Sequence, residues 1–407
     1  MLQKIKNIYH FLVASAALIY YRFPAKELTV IGVTGTDGKT TTTSLIYHLL
    51  LAAGFKVAMI NSVEVCFGPK KVPTGLHVTT PDPWPLQKII RQLVDQGFTH
   101  LVLESTSHGL DQHRLLGSNF KIAVFTNVTH EHLDYHRTWE NYLKVKAKLM
   151  LGAKLAILNR DDQSFKQLDK LAKKYQLRVI SYGQQPGADF QPHKVKLKTD
   201  SSGFQLKGIN FRLPLPGVYN LDNALAAISA VNALGVSFKA IQPVLNQFKG
   251  VKGRMEEVKN KFGFRVFVDF AHTPNALARV LTAMRLMTKK RLIAVYGSAG
   301  LRDQTKRSMM GEVGARLADV VILTAEDPRT EDVNQIISQM AQGCLKGRAK
   351  LIKQVDRQKA INLAVRLAKS GDVIGILGKG HEQSMCFNSI EMPWSDYRAV
   401  ERALISR

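Results

Sequence analysis

A chain of 407 residues, 45% of them hydrophobic, is long enough for two or three domains, each with its own core. Its 57 basic and 32 acidic side chains give a net charge of +25, which favours anionic partners: nucleotides, phosphorylated sugars, membrane surfaces or nucleic acid. No arginine-rich tail or aromatic-and-basic module stands out, which argues against nucleic acid, and Cys66, Cys344 and Cys386 are too scattered for a disulfide framework or a Cys-rich zinc site and read as reduced cytosolic thiols.

Residues 8–21, IYHFLVASAALIYY, are the longest apolar run. It is interrupted by His10 and falls short of the ~20 residues that span a bilayer. Lys4 and Lys6 imitate a signal peptide, but a nucleotide loop follows directly and would be useless outside the cell. Residues 1–27 are therefore expected to form a helix that packs on the body or lies at the membrane's inner face, with Lys4, Lys6, Arg22 and Lys26 toward lipid headgroups.

From Leu28 to Val33 the chain is apolar and β-branched, and from Thr40 it opens a helix carrying Leu45, Ile46, Leu49 and Leu50. Between them lies GTDGKT. Gly35 and Gly38 let backbone N–H groups turn inward, Lys39 reaches the β/γ-phosphates, and the Thr40 hydroxyl can hold Mg²⁺ at the helix start. The loop Gly35, Thr36, Asp37, Gly38, Lys39, Thr40 and Thr41 is thus a nucleoside triphosphate site, although Val33 stands where the usual longer loop has glycine.

Further strands are predicted over 56–63, 100–106, 121–128 and 155–161, separated by helices, and a mostly parallel sheet with both faces covered follows. Ligands sit at the carboxyl ends of such strands, where Glu104, Thr106, Asn127 and Asn159 lie. Residues 178–215 look less regular, with a hairpin or small side sheet, and a helix over 220–234 closes the domain. A second alternation begins near Gly253, with strands in FRVFVDFA, RLIAVYGS, DVVILTAE and DVIGILGKG and helices over 274–288, 306–317, 331–343 and 356–369. The fold class is α/β: a P-loop central domain over 28–252 and a Rossmann-like C-terminal domain over 253–407, without a dinucleotide fingerprint.

The blocks GTDGKTTT, TTPDP (79–83), ESTSHGLDQHR (104–114), TNVTHEHLDYH (126–136), GVYNLDNALAA (217–227), GRME (253–256), VDFAHTPNAL (268–277), RDQTKR (302–307), EDPR (326–329) and GKGHE (378–382) occur in one order. In that order they resemble the Mur ligases, and within them the branch that adds the third residue of the peptidoglycan stem peptide. The resemblance implies an ATP- and Mg²⁺-dependent ligase that joins a carboxylate to an amine through an acyl phosphate, acting as a cytoplasmic monomer on a muropeptide and an amino acid. It places the metal at Thr40, Glu104 and His132, Arg254 at the γ-phosphate, Asp269 at the nucleoside, and Asn220 and Asn223 near the base. Closure of the two domains would bring Arg254 to the loop and exclude water. Where relatives usually have an aspartate before the metal histidine, this chain has Glu131.

Lys146 falls in the middle of an apolar helical arc formed by Tyr142, Leu143, Val145, Leu149 and Met150, where a lone ammonium is costly. The resemblance implies a lysine carbamylated by CO₂ that supports a metal. It further implies that Thr79, Thr80, Thr106, Gln112 and Arg114 hold the muramoyl dipeptide, and that Arg302, Asp327, Arg329, Gly378 and Glu382 meet the incoming amino acid. EDPR replaces the DNPR of diaminopimelate users. Arg329 still favours meso-diaminopimelate, whose distal carboxylate it could grip by a two-pronged contact, while Asp327 leaves L-lysine open. Residues 1–27 are too short for the family's uridine-binding domain, so a ligase acting on a lipid-linked muropeptide stays open as an alternative, as does a non-catalytic nucleotide-binding scaffold.

Overall fold

The computed structural model of the protein describes residues 2–72, 80–129 and 131–407. They form two compact units, 1–130 with 136–249, and 131–135 with 250–407.

The first unit is built on an eight-stranded sheet. Its strands are β1 (Thr29–Thr34), β2 (Val57–Ile60), β3 (Val65–Phe67), β4 (Lys70–Val72), β5 (His100–Glu104), β6 (Phe120–Phe125), β7 (Leu155–Asn159) and β8 (Arg178–Tyr182), in spatial order β4-β3-β2-β5-β1-β6-β7-β8. From β2 to β8 all pairings are parallel; β3 and β4 add on antiparallel. Central strands are buried almost end to end, as continuous apolar runs require when helices cover both faces. The order reverses at β1, which lies between β5 and β6. Its register sets Val33 beside Glu104 and Thr34 beside Phe125, so both neighbours end at the loop that follows β1.

The structure differs from the sequence-based expectation at two places. The stretch 178–182 is not irregular: it is β8, paired in parallel with β7, and its first residue, Arg178, is exposed as an edge strand permits. Only the remainder forms the expected side sheet, β9 (His193–Leu197), β10 (Ser202–Leu206) and β11 (Ile209–Leu213), all antiparallel. The helix Val218–Ala233 does not close the unit, since Phe238–Asn246 follows it, capped by the Ser237 side chain.

The second unit carries a six-stranded sheet, β12 (Glu256–Val258), β13 (Arg265–Asp269), β14 (Leu292–Tyr296), β15 (Val320–Leu323), β16 (Lys350–Lys353) and β17 (Val373–Leu377), in order β12-β13-β17-β14-β15-β16. Only β12 runs antiparallel. A hairpin, β18 (Ser384–Phe387) with β19 (Ile390–Pro393), and the helix Asp396–Ile405 complete it.

Candidate active site

In the first unit the loop after β1 is held from three sides. Asn127, just past β6, accepts from the Asp37 N–H and donates back to the Asp37 carbonyl, both at 3.0 Å, and the Thr126 hydroxyl reaches the same carbonyl at 2.6 Å. Gly38 has φ +82°, and a Cβ there would stand 2.3 Å from Asn223 Oδ1, so both backbone freedom and the lack of a side chain are used. Asn223, on Val218–Ala233, also accepts from the Thr42 hydroxyl at 3.3 Å, and Asn220 lies one turn away with its amide on the Pro216 carbonyl. Both asparagines therefore stand in the unit that holds the loop; Thr41 is buried beside them in the helix start.

Glu104 is 1% exposed at the end of β5. One carboxylate oxygen accepts from the Thr40 hydroxyl at 3.2 Å and the other from the Ser62 N–H at 3.0 Å. Oxygen donors of this kind suit a hard divalent ion that takes its remaining ligands from phosphate and water, so the residues fit Mg²⁺. Among the described residues no group of three or more His, Cys, Asp or Glu side chains converges into an all-protein metal cage. Lys39 folds back onto the Thr36 carbonyl at 2.7 Å.

Lys146 is buried, as the helical arc predicted, while Lys144 is exposed and Lys148 half-exposed. Its ammonium donates to the Gly35 carbonyl at 2.7 Å and sits 4.4 Å over the Tyr142 ring. The Tyr142 hydroxyl lies 3.4 Å from the Thr36 hydroxyl, which accepts from the Thr129 N–H at 2.9 Å. The His136 ring lies tilted against Tyr142 at 5.1 Å and pairs with the Ser107 hydroxyl at 3.1 Å; burial, and then the charge of His108, push its pKa down to about 4. Sequence reasoning passed over Tyr142 and His136 as sites. The aromatic sits one turn before Lys146, which is the available signal.

Four of the residues expected to hold the peptide are gathered nearby in the chain. Thr80 and Thr106 hydroxyls are 2.8 Å apart, Thr106 caps the helix Ser107–Asp111 by accepting from Gly109 N–H, and Arg114 donates to the Thr80 carbonyl and to Gln112 at 3.2 and 3.0 Å. Thr79 lies outside the described residues.

In the second unit, Asp269 at the end of β13 accepts from the backbone N–H groups of Met255 and Ala271 at 2.7 and 2.8 Å. Its carboxylate thereby fixes the GRME turn. Arg254 lies 4.4 Å over the Phe270 ring and 3.4 Å from His381 Nδ1. His132, half-buried with φ +56°, belongs to the segment 131–135 counted in this unit, where Glu131 pairs with buried Lys306 at 3.3 Å.

The EDPR turn is strained, with Asp327 at φ +40° and Arg329 at φ +54°. Lys379, missed by the sequence reading although it sits inside GKGHE, anchors it. Its ammonium lies 2.7 Å from Asp327 and 2.5 Å from Glu382. Burial works against that charge, but Glu382 and Asp327 outweigh it and hold its pKa above the ordinary lysine value. Asp327 also accepts from the Cys386 N–H, and Arg329 exchanges backbone bonds with Cys386 and Asn388, tying the turn to the hairpin β18–β19. Among the described residues the Arg329 guanidinium makes a single hydrogen bond, to the Gly300 carbonyl at 3.1 Å. Desolvation and then the charge of Arg329 lower the pKa of Arg302. Gly378, φ +113°, leaves room for the buried Glu326, whose Oε2 a Cβ there would approach to 2.3 Å.

Comparison with known proteins shows the family. The family model for the Mur ligase middle domain matches residues 33–231, and that for the Mur ligase glutamate ligase domain matches 253–380. The UDP-N-acetylmuramoyl-L-alanyl-D-glutamate--2,6-diaminopimelate ligase of Clostridium botulinum is 37% identical over 391 residues, 95% of this chain and 80% of that protein. The UDP-N-acetylmuramyl-tripeptide synthetase of Roseiflexus is 37% identical over 96% of this chain and 81% of its own length. A solved structure of a UDP-N-acetylmuramoyl-L-alanyl-D-glutamate--2,6-diaminopimelate ligase superposes with TM-score 0.64 at 33% identity, covering 93% of this chain and 78% of that one.

Proposed function

The chain belongs to the Mur ligase family and is an ATP-dependent ligase, and from that premise we propose that it adds meso-diaminopimelate to a UDP-linked muramoyl-L-alanyl-D-glutamate in peptidoglycan synthesis. The donor carboxylate attacks the γ-phosphate of ATP, giving an acyl phosphate and ADP; the acceptor amine then displaces inorganic phosphate and loses its proton as the amide forms. Both anions need positive surroundings in the first step. Lys39 offsets phosphate charge and the loop amides cradle it. Mg²⁺, when bound, would neutralise phosphate oxygens; Thr40 and Glu104 are the residues we assign to it, with Lys146 in support as a carbamate. What supports the carbamate is the family resemblance and the burial of Lys146, 1% exposed; the hydrogen bond to the Gly35 carbonyl is that of the unmodified ammonium.

The observation that carries the acceptor is the ion pair between Lys379 and Asp327. Asp327 was the reason to keep lysine open, because an extra acid could attract a distal amine. With Lys379, which it shares with Glu382, at 2.7 Å and the Cys386 N–H at 2.9 Å, that acid is already engaged by protein donors. Arg329 keeps most of its five-donor fork for a distal carboxylate, which diaminopimelate has and lysine lacks. Thr80, Thr106, Gln112 and Arg114 hold the muramoyl peptide, and Arg302, Gly378 and Glu382 complete the acceptor side. We place the enzyme in the cytoplasm as a monomer, touching the membrane's inner face through residues 1–27. Acceptor-dependent phosphate release from ATP, measured with each amino acid in turn, tests this: release with diaminopimelate and little with lysine is expected, and the reverse would overturn the acceptor.

A further inference from the structure

The helix Leu2–Tyr20 presents its apolar side to the outside. Toward the body it buries Ala14, Ala17 and Leu18, the last against Gly117, while Asn7 donates to Asp111 at 3.2 Å and Phe11 meets the His113 ring at 5.5 Å. On the other side, at 100° per residue, Ile8, Ile19, Leu12, Ala16, Tyr9 and Tyr20 fall in one arc of about 120°. All six are exposed, with Ile8 at 61%, Leu12 at 60% and Ile19 at 67%. No charged residue lies within the arc. A surface helix that ends in water normally shows the opposite pattern, and a contiguous apolar patch of this kind marks a contact.

What surrounds the arc selects the partner. Its end is aromatic with polar tips: Tyr20 and Tyr21 pack on exposed Trp84 at 5.4 and 6.0 Å, the composition favoured at a lipid headgroup boundary. Exposed cations border it. They are Lys6, Lys26 over the Phe23 ring at 4.8 Å, and Lys88 one turn after Trp84 on the same helix; the nearby Glu27 is engaged by Arg91 at 3.1 Å. A second copy of a chain carrying +25 would bring like charge to like charge, whereas an anionic surface would not. Among the described residues no helix is long and apolar enough to cross a membrane.

We infer that the Ile8–Leu12–Ile19 face docks in the plane of an anionic phospholipid surface, with Tyr9, Tyr20 and Trp84 at headgroup level. The inference rests on the membrane contact proposed above and specifies its face and lipid. The test is co-sedimentation of the full chain with vesicles of phosphatidylcholine alone or with phosphatidylglycerol. The wild type should bind the anionic vesicles, more weakly at high salt, and Ile8→Ser/Leu12→Ser/Ile19→Ser should lower partitioning by roughly tenfold or more. Because these side chains are exposed, the variant should keep its thermal midpoint and its nucleotide binding. Lys6→Glu/Lys26→Glu should weaken binding to the anionic vesicles only. Wild-type binding that the triple variant retains would overturn this face while leaving membrane contact standing; no wild-type binding would overturn both. A wild-type dimer in sedimentation velocity that the triple variant abolishes would assign the face to a second copy instead.

Discussion

The ammonium of Lys146 and the carbonyl of Gly35, 111 residues apart, lie 2.7 Å from each other in a buried setting. The lysine comes from the helix Trp139–Ala147 and the carbonyl from the first residue of the phosphate loop, so one side chain fixes how that loop leaves β1. A buried cation is tolerated there because the carbonyl and the Tyr142 ring both face it.

Replacing Lys146 with alanine should therefore abolish ligation and also loosen the loop, with a stability loss of about 1–3 kcal/mol from the orphaned carbonyl. If the residue works as a carbamate, a short-chain carboxylate should restore part of the turnover. Full activity in Lys146→Arg, measured as phosphate release, would eliminate the carbamate.

Lys39 has a different status, since it is only half-buried and, among the described residues, its ammonium bonds only to the nearby Thr36 carbonyl. Lys39→Ala is expected to fold normally by circular dichroism and to lose ATP turnover, because the cation that offsets phosphate charge is gone. Near-wild-type phosphate release from that folded variant would contradict the nucleotide assignment.

Arg329 should decide the acceptor. Arg329→Ala should raise the KM for diaminopimelate by an amount equivalent to about 2–5 kcal/mol, the range for truncating one partner of a buried charge pair. Its KM for ATP should stay within a few-fold of normal. An unchanged diaminopimelate KM would show that the guanidinium does not meet the distal carboxylate.

Glu326 predicts a pH dependence of stability. It is buried, its Oε2 has no hydrogen-bond partner among the described residues, and burial raises its pKa to about 7, against the opposing attraction of Arg357, Lys306 and Lys379. A carboxyl with a raised folded pKa binds its proton more tightly folded than unfolded. Its contribution is thus fully present below the unfolded value of about 4.3 and is lost as pH rises through about 7, at no more than about 1.4 kcal/mol per pH unit. Thermal midpoints should fall between pH 5 and 8, and Glu326→Gln should flatten that fall. Parallel profiles for the two proteins would refute the assignment.

Much of this was legible in the chain because periodicity and loop chemistry are local properties. The apolar run before GTDGKT identifies β1, and the arc around Lys146 predicts its burial, but neither discloses that Gly35 is the partner, since that contact spans 111 residues. Lys379 was invisible for the same reason. Flanked by glycines at the end of β17, it has no periodic signature, and only the fold brings Asp327 to it. Strands β3 and β4, three residues each, are too short for alternation to register. The edge strand β8 opens on an exposed charged residue, Arg178, which masks its apolar run.

The central claim is that a donor carboxylate is activated by ATP and captured by diaminopimelate, and isotope transfer tests it most directly. With ¹⁸O in the carboxylates of the D-glutamyl donor, attack on the γ-phosphate carries one labelled oxygen into the phosphate that amide formation releases. Mass spectrometry should find one ¹⁸O in inorganic phosphate for each amide formed, in a reaction requiring both ATP and diaminopimelate. Unlabelled phosphate, or phosphate release without the amide product, would contradict the account.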